Sequence, residues 1–334
     1  MSFLAILIAL LLEQARPLLQ GNFVHVGIRG WVRWSSRNFD AGQVHHGGLA
    51  WSFAVLVPTL VTLGVHWLLV MTLGFTAAVV WSVAVLYCSL GFRQFSHHFT
   101  EIRDALDAGD EPLARELLAK WQQLDASELP RSEIIRHVIE HSVLSAHRHV
   151  FGVLTWFSVL AALGLGPAGA VLYRLSEFVS RYWKHRSRRQ LQPVSEALQT
   201  IATMAWGVID WLPARITAIG FAVVGSFEDA IDGWRNYENR SVGDNDGVIL
   251  AATAGAVNVR LGSGPDFSPL SAGMPSEATA GGMDDVAGMA VGESAAQRQA
   301  PELAHLRIIV GLVWRSVVLW MLLLALLTLA RLLG

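Results

Sequence analysis

From Leu49 to Phe92 the chain runs through 44 residues without one Asp, Glu, Lys or Arg. A stretch of that length and character cannot be covered by the rest of a small domain. It reads instead as two passages through a bilayer, each needing about 20 apolar residues. Four further apolar runs, Leu4–Leu12, Phe151–Tyr173, Ile201–Phe227 and Leu306–Leu333, extend the pattern along the chain. Composition agrees: 53% of the 334 residues are hydrophobic, only 16% are charged, and mean hydropathy is +0.42. Soluble domains carry about a quarter charged residues. The expected fold is therefore all-α: a polytopic integral membrane protein with four to six hydrophobic segments, one or two of them broken or re-entrant, plus a polar helical region.

The organisation expected from these patterns is a set of N-terminal membrane segments over 1–92 and a polar helical region over 93–150. Broken membrane segments follow over 151–261, then a flexible low-complexity linker over 262–300 and a C-terminal transmembrane helix over 301–334. The first apolar run is short and has neither a basic leader nor an Ala-x-Ala site, which predicts an uncleaved anchor. Residues 21–47 read as a polar loop in which Arg29, Arg33 and Arg37 alternate with Trp31 and Trp34, the pairing of an interfacial belt. A tight turn is expected near Thr72–Gly74. Gly109-Asp110-Glu111-Pro112 has the form of a helix start, and Leu106, Leu113, Leu117, Leu118 and Trp121 follow at helical spacing.

Gly164-Leu165-Gly166-Pro167-Ala168-Gly169 interrupts the run Phe151–Tyr173. Residues 93–150 carry seven Lys/Arg and residues 174–198 carry six. If both flanks are cytoplasmic, the segment between them enters and leaves on one side; the alternative is a true span with one basic loop outside. Residues 262–300 are rich in Gly, Ala, Ser and Met and hold too few large apolar groups to offset the entropy of ordering. Cys88 is the single cysteine, which excludes an intrachain disulfide. A formal charge of −2 gives no argument for nucleic acid, and the bilayer is the first partner implied.

Function is sought at Asp210-Trp211-Leu212-Pro213-Ala214-Arg215, inside the run Ile201–Phe227. Ionised side chains at membrane depth cost roughly 2.5–3.5 kcal/mol each on insertion scales, so they face a cavity, a partner or the interface. Pro213 removes a backbone donor and predicts a break in the helix there. Across that break Asp210 and Arg215 could pair or face one cavity, as an anion or partner contact or as a structural ion pair. His137-Val138-Ile139-Glu140-His141 fits an H-x-x-E-H zinc pattern, although no further ligand is evident and no metal site is expected. Asp244-Asn245-Asp246-Gly247 offers oxygen ligands, and equally an Asx-type turn. His97, His98, His147 and His149 read as interfacial, with pH sensing or plain solvation as the two readings. Lys184, Arg186, Arg188 and Arg189 form a juxtamembrane basic cluster suited to topology and lipid headgroups.

Several short motifs, in order along most of the chain, resemble the CobD/CbiB family of membrane proteins. Ala108-Gly109-Asp110-Glu111 with Ala114-Arg115 and Leu117-Leu118, and Glu133-Ile134-Ile135-Arg136 leading to Ile139-Glu140, are similar to its cytoplasmic helical hairpin. Gly166-Pro167-Ala168-Gly169-Ala170 with Tyr173-Arg174 resembles its glycine-rich turn. Trp211–Arg215 is close to its Trp/Tyr-Leu/Ile-Pro-Ala-Arg motif, Asn245 matches a family asparagine, and Ala254-Gly255-Ala256 through Arg260-Leu261-Gly262 resembles its last glycine segment.

The resemblance implies an inner-membrane, multi-pass protein of bacterial type. Its activity would be the ATP-dependent amide ligation of an aminopropanol phosphate to adenosylcobyric acid. Mg-ATP is the cofactor only if that synthase activity is retained. Candidate binding residues are Asp210, Arg215, Asn245 and Glu140, and a corrinoid is the implied ligand. The chain departs from the pathway branch in its acidic motifs. Glu-Asn-Thr-Val-Asp-Gly is replaced by Leu144-Ser145-Ala146-His147-Arg148-His149, and Asn-Thr-Leu-Asp by Glu177-Phe178-Val179-Ser180. An acidic pair before the Pro-Ala-Arg motif falls on Trp206 and Gly207, and a later acidic position is Leu250. The N-terminal Gly-Asp-Pro and His-Pro signature is missing. Asp210-Trp-x-Pro-x-Arg, together with the early Glu13, leans toward the AmpE-type branch, a non-enzymatic sensor or accessory protein of β-lactamase regulation that would take a cell-wall-derived ligand.

Overall fold

The computed structural model describes residues 2–16, 23–40, 42–188, 194–262 and 298–333. Most of the linker expected at 262–300, and Arg189 of the basic cluster, lie outside the described residues. The chain divides into two compact units, one of residues 1–95, 145–214 and 319–334, the other of 96–144 and 215–318. Among the described residues every element is helical apart from one isolated bridge between Val259 and Gln299. Three helices are long and apolar enough to cross a membrane: His45–Thr72, Glu196–Val224 and Leu303–Ala330.

In the first unit, α1 (Ser2–Ala15) packs on α4 (Phe75–Ser89), and α3 (Val44–Thr72) packs on α2 (Phe23–Phe39), α4 and α9 (Ala168–Arg188). Along α3 the residues Ala50, Ala54, Val55 and Thr59 are buried, whereas Leu56, Leu60, Val61, Leu68 and Met71 are exposed. A helix apolar on both faces belongs in lipid. The turn between α3 and α4 falls where expected, at Gly74, whose φ of +81° only glycine adopts freely. At 15 residues, α4 is shorter than the two-span reading of 49–92 requires. The region read as a polar loop is instead the 17-residue helix α2. Its arginines and glycines mask the period, but Ile28, Val32, Ser35 and Phe39 form a stripe against α3 and α9.

The interruption in Phe151–Tyr173 is a helical hairpin. α8 (Gly152–Ala162) ends at Leu163, Gly164 and Gly166 take φ of +78° and +58°, and α9 begins at Ala168. At 11 residues α8 is about 16 Å long, half a hydrocarbon core. The two helices lie so close that a Cβ on Gly169 would come within 2.0 Å of the Trp156 carbonyl oxygen. α10 (Glu196–Val224) corrects the expectation of a break: it runs through Pro213 without interruption.

The second unit holds most of α5 (Phe92–Asp107) and α7 (Arg131–Ala146), all of α6 (Glu111–Gln122), α11 (Phe227–Arg240) and α12 (Asn245–Val257), and the end of α10 from Arg215. It also takes the first part of α13 (Leu303–Leu333). The expected helix start is present at Asp110, whose carboxylate accepts the Leu113 amide at 3.0 Å. Arg115 reaches the Leu129 carbonyl and Arg131 the Leu106 carbonyl, tying α5, α6 and α7 together. α11 and α12 form the closest pair in this unit, because a Cβ on Gly255 would stand 2.1 Å from the Asp229 carbonyl.

Candidate functional site

α10 positions two polar centres, one in each unit. In the first unit Asp210 is fully buried. Its Oδ1 accepts the Tyr173 hydroxyl at 2.8 Å and lies 2.9 Å from His147 Nε2, with Tyr173 Oη and His147 Nε2 themselves 3.3 Å apart. With Asp210 ionised, Tyr173 and an Nε2–H tautomer of His147 both donate to one oxygen, and such charge-assisted bonds are the strong kind. Oδ2 is buried with no hydrogen-bond partner among the described residues. His147 opens a π-turn, His147–Phe151, a local widening of the helix that recurs at functional sites. Trp206 tilts over the Tyr173 ring at 5.1 Å, and Gly152 makes room for it: a Cβ there would lie 2.0 Å from Tyr173 Cζ.

A second buried charge cluster stands on the same hairpin, outside the spanning helices. Glu177 accepts from Arg174 and Arg181, each at 2.8 Å. Burial pushes its carboxyl up, but the two guanidiniums outweigh this and bring it down to about 2. His149 Nδ1 lies 3.0 Å from the Ser145 carbonyl, and burial, followed by Arg174, holds the ring down to about 3. The expectation of solvated histidines is therefore wrong for His147 and His149, which the hairpin covers. It holds for His97, 73% exposed beside Glu101.

In the second unit Arg215 forks between two helices. Nη1 donates to Asn245 Oδ1 at 2.6 Å, and Nη2 bonds Glu238 Oε1. Trp234 Nε1 donates to the other oxygen of Glu238 at 2.7 Å. Asn245 is fixed because Asp244 caps α12, accepting the Gly247 amide at 3.1 Å and the Tyr237 hydroxyl at 2.5 Å. Arg215 is 93% buried while the Glu238 side chain is 35% exposed. Glu238 is therefore the more accessible partner of the pair.

Glu140 belongs to a third cluster. Its Oε1 accepts Arg136 Nη1 at 3.1 Å and the Gly262 amide at 2.7 Å, and Arg136 also reaches the Gly262 carbonyl. His137 is pushed down by burial and then by Arg136, and His141 stands edge-on to Trp121 at 4.4 Å. Of the four residues singled out from sequence, the structure brings together Arg215 and Asn245; Asp210 and Glu140 each have their own surroundings. Sequence reasoning missed Glu238, Trp234 and Tyr173 as site residues, and read His147 as interfacial and not as a partner of Asp210. The i, i+4 spacing of Trp234 and Glu238 was the one available signal.

Among the described residues no group of three or more His, Cys, Asp or Glu stands together to hold a metal ion. The carboxylates of Asp210, Glu238 and Glu140 are each engaged by guanidinium, hydroxyl, imidazole, indole or amide groups. Among the described residues none of these three carboxylates belongs to a cluster that could hold a metal ion.

Three helices long and apolar enough to cross a membrane, a short helical hairpin and buried polar centres mark a helical membrane protein. The chain belongs to the CobD/CbiB family, whose model, described as CobD/Cbib protein, matches residues 3–268. Its relatives include proteins named cobalamin biosynthesis protein CobD. The one from Stutzerimonas stutzeri is 29% identical over 285 residues, 85% of this chain and 82% of that protein. The one from Chromobacterium violaceum is 34% identical over 188 residues, 55% of this chain and 56% of that protein. The one from Mycobacterium tuberculosis is 28% identical over 66% of each chain. No solved structure matches.

Proposed function

We propose that this protein acts in cobalamin biosynthesis as a multi-pass protein of a bacterial inner membrane, binding a phosphate-bearing precursor at Arg215. The observation that carries the reading is the Arg215 fork: a buried guanidinium inside a helix long and apolar enough to span, oriented by Asn245 and covered by a displaceable carboxylate. A planar fork of this kind suits bidentate capture of phosphate or carboxylate. In the family's ligation, an aminopropanol phosphate and the carboxyl of adenosylcobyric acid both offer such a group. Arg215 and Asn245 supply the binding half of that event, and Glu238 would move aside for the anion.

A second reading, an AmpE-like sensor without catalysis, is favoured by what stands at the altered acidic motifs. There the chain places His147, Arg148 and His149: His147 is buried against Asp210, and His149 Nδ1 lies beside the Ser145 carbonyl. Complementation of a strain lacking its cobinamide-phosphate synthase separates the two. Growth that depends on cobalamin made from cobyric acid, and is lost on Arg215→Ala, supports the pathway role. A well-expressed, membrane-inserted protein that gives no growth overturns it in favour of the sensor.

A further inference from the structure

Helix α2 presents its charge in one direction. Arg29, Arg33 and Arg37 recur every fourth residue and are all exposed, while Val32 and Ser35 are buried and Ile28 packs on the core beneath. No acidic residue occurs from Gln14 to Phe39. Trp34 and Val26 are also exposed, and Trp34 stacks on Trp31 at 5.2 Å. Only four residues separate α2 from α3, so this helix lies where the chain enters the bilayer. A helix with arginines on one face and exposed tryptophan beside them has the make-up of an in-plane interfacial helix.

The last turns of α9 add to the same side of the unit. Arg186 Nη1 donates to the Tyr182 hydroxyl at 2.9 Å, and Arg33 bonds the same hydroxyl, so two guanidiniums converge on one neutral oxygen. Tyr182 packs on the core shared by α2, α3 and α9. The field there is positive: His25 is pushed down by burial, then by Arg174 and Arg29. Glu177, the acid of α9, is committed to Arg174 and Arg181.

We propose that the α2–α9 surface around Arg33, Arg186 and Tyr182 is a headgroup site for an anionic phospholipid. The phosphate oxygens take guanidinium donors now turned on the phenol, and Arg29 and Arg37 extend the charge along α2. Trp34 and Val26 lie against the glycerol and upper acyl chains. A soluble anion has no use for those two apolar side chains, which is why the lipid is the occupant the surface fits.

The test uses the full chain purified in neutral detergent and titrated with phosphatidylglycerol, following the melting temperature. Phosphatidylcholine and inorganic phosphate serve as comparison probes. Phosphatidylglycerol alone should raise the melting temperature, with a mole fraction at half-effect that rises with salt. Arg33→Gln with Arg186→Gln should weaken that half-effect by more than tenfold, at about fivefold for each arginine near a charged surface. Arg29→Gln with Arg37→Gln tests the same face without touching Tyr182, should the first pair fail to fold. Arg103→Gln, on α5, should change nothing. Equal shifts with phosphatidylcholine, or variants that keep the wild-type half-effect, would overturn the site. A shift as large with inorganic phosphate would overturn the lipid as its occupant.

Discussion

Trp156 Nε1 donates to the Ile209 carbonyl at 2.9 Å. Ile209 lies four residues before Pro213, so its carbonyl is the one that proline leaves without an amide donor. The indole of α8 takes the place of the missing N–H, and α10 continues through the proline as one helix. Neighbouring side chains are a recognised means of satisfying backbone freed by proline in a membrane helix.

Trp156→Phe should therefore cost about 1–3 kcal/mol, the penalty of a buried acceptor left without a partner. Pro213→Ala restores the helical amide, and in that background the same substitution should cost less than about 0.5 kcal/mol. Thermal unfolding of the four proteins of the cycle gives the coupling. Equal costs in both backgrounds would mean the indole is only packing.

How far the sequence reaches can be judged at this helix. The apolar runs identify α3, α10 and α13 because lipid imposes one simple demand, length without charge. The glycine cluster identifies the α8–α9 turn because Gly164 and Gly166 need positive φ. Arg215 and Asn245 each stand out through motifs, but only the fold brings them together. Pro213 misleads, since the donor that rescues its helix lies 53 residues from Ile209. The partners of Asp210 are likewise remote, 37 and 63 residues away, and one of them sits in a π-turn without a sequence signature. Local period and composition carry no information about such pairings.

Gly152 and Tyr173 form a lock that can be tested by non-additivity. A methyl on Gly152 would overlap the Tyr173 ring and push its hydroxyl from Asp210. Gly152→Ala should destabilise by about 1–3 kcal/mol, as overpacking does. Tyr173→Phe should cost about 1–3 kcal/mol by removing a donor from a buried carboxylate. If the alanine acts by displacing the hydroxyl, the double variant should be little worse than Gly152→Ala alone. Strict additivity in the unfolding transitions would refute the lock.

Acid should loosen the hairpin in two windows. Folded His149 stays neutral down to about 3 while an unfolded chain protonates it near 6.5, so stability falls as pH drops below 6.5. Glu177 stays ionised down to about 2 while the unfolded chain takes up its proton near 4.5, so its contribution is lost from there downward. His25 and His137 are also lowered and add to the first window, which makes the difference between proteins the quantity to read. Between pH 6.5 and 5, His149→Gln should remove about 1.5 kcal/mol of the wild-type decline. Melting curves that stay parallel across that interval would show that His149 is not held neutral.

Arg215 separates a site from a strut. Its fork spans Asn245 on α12 and Glu238 on α11, and lysine has a single point of charge for two partners. Arg215→Lys keeps the charge and most of the volume, so α11 and α12, held by their own contact at Gly255, should stay together. The cost in stability should be about 1–2 kcal/mol, and the amount of protein in the membrane should stay near wild type. Complementation should nevertheless be lost, because an anion now meets one donor without orientation. Glu238→Gln works from the other side: it removes the carboxylate that an incoming anion must displace while sparing the guanidinium. That variant should keep function, and its half-saturating anion concentration should be lower than wild type. Loss of abundance in step with loss of function for Arg215→Lys, together with an inert Glu238→Gln, would make the fork a structural tie between helices.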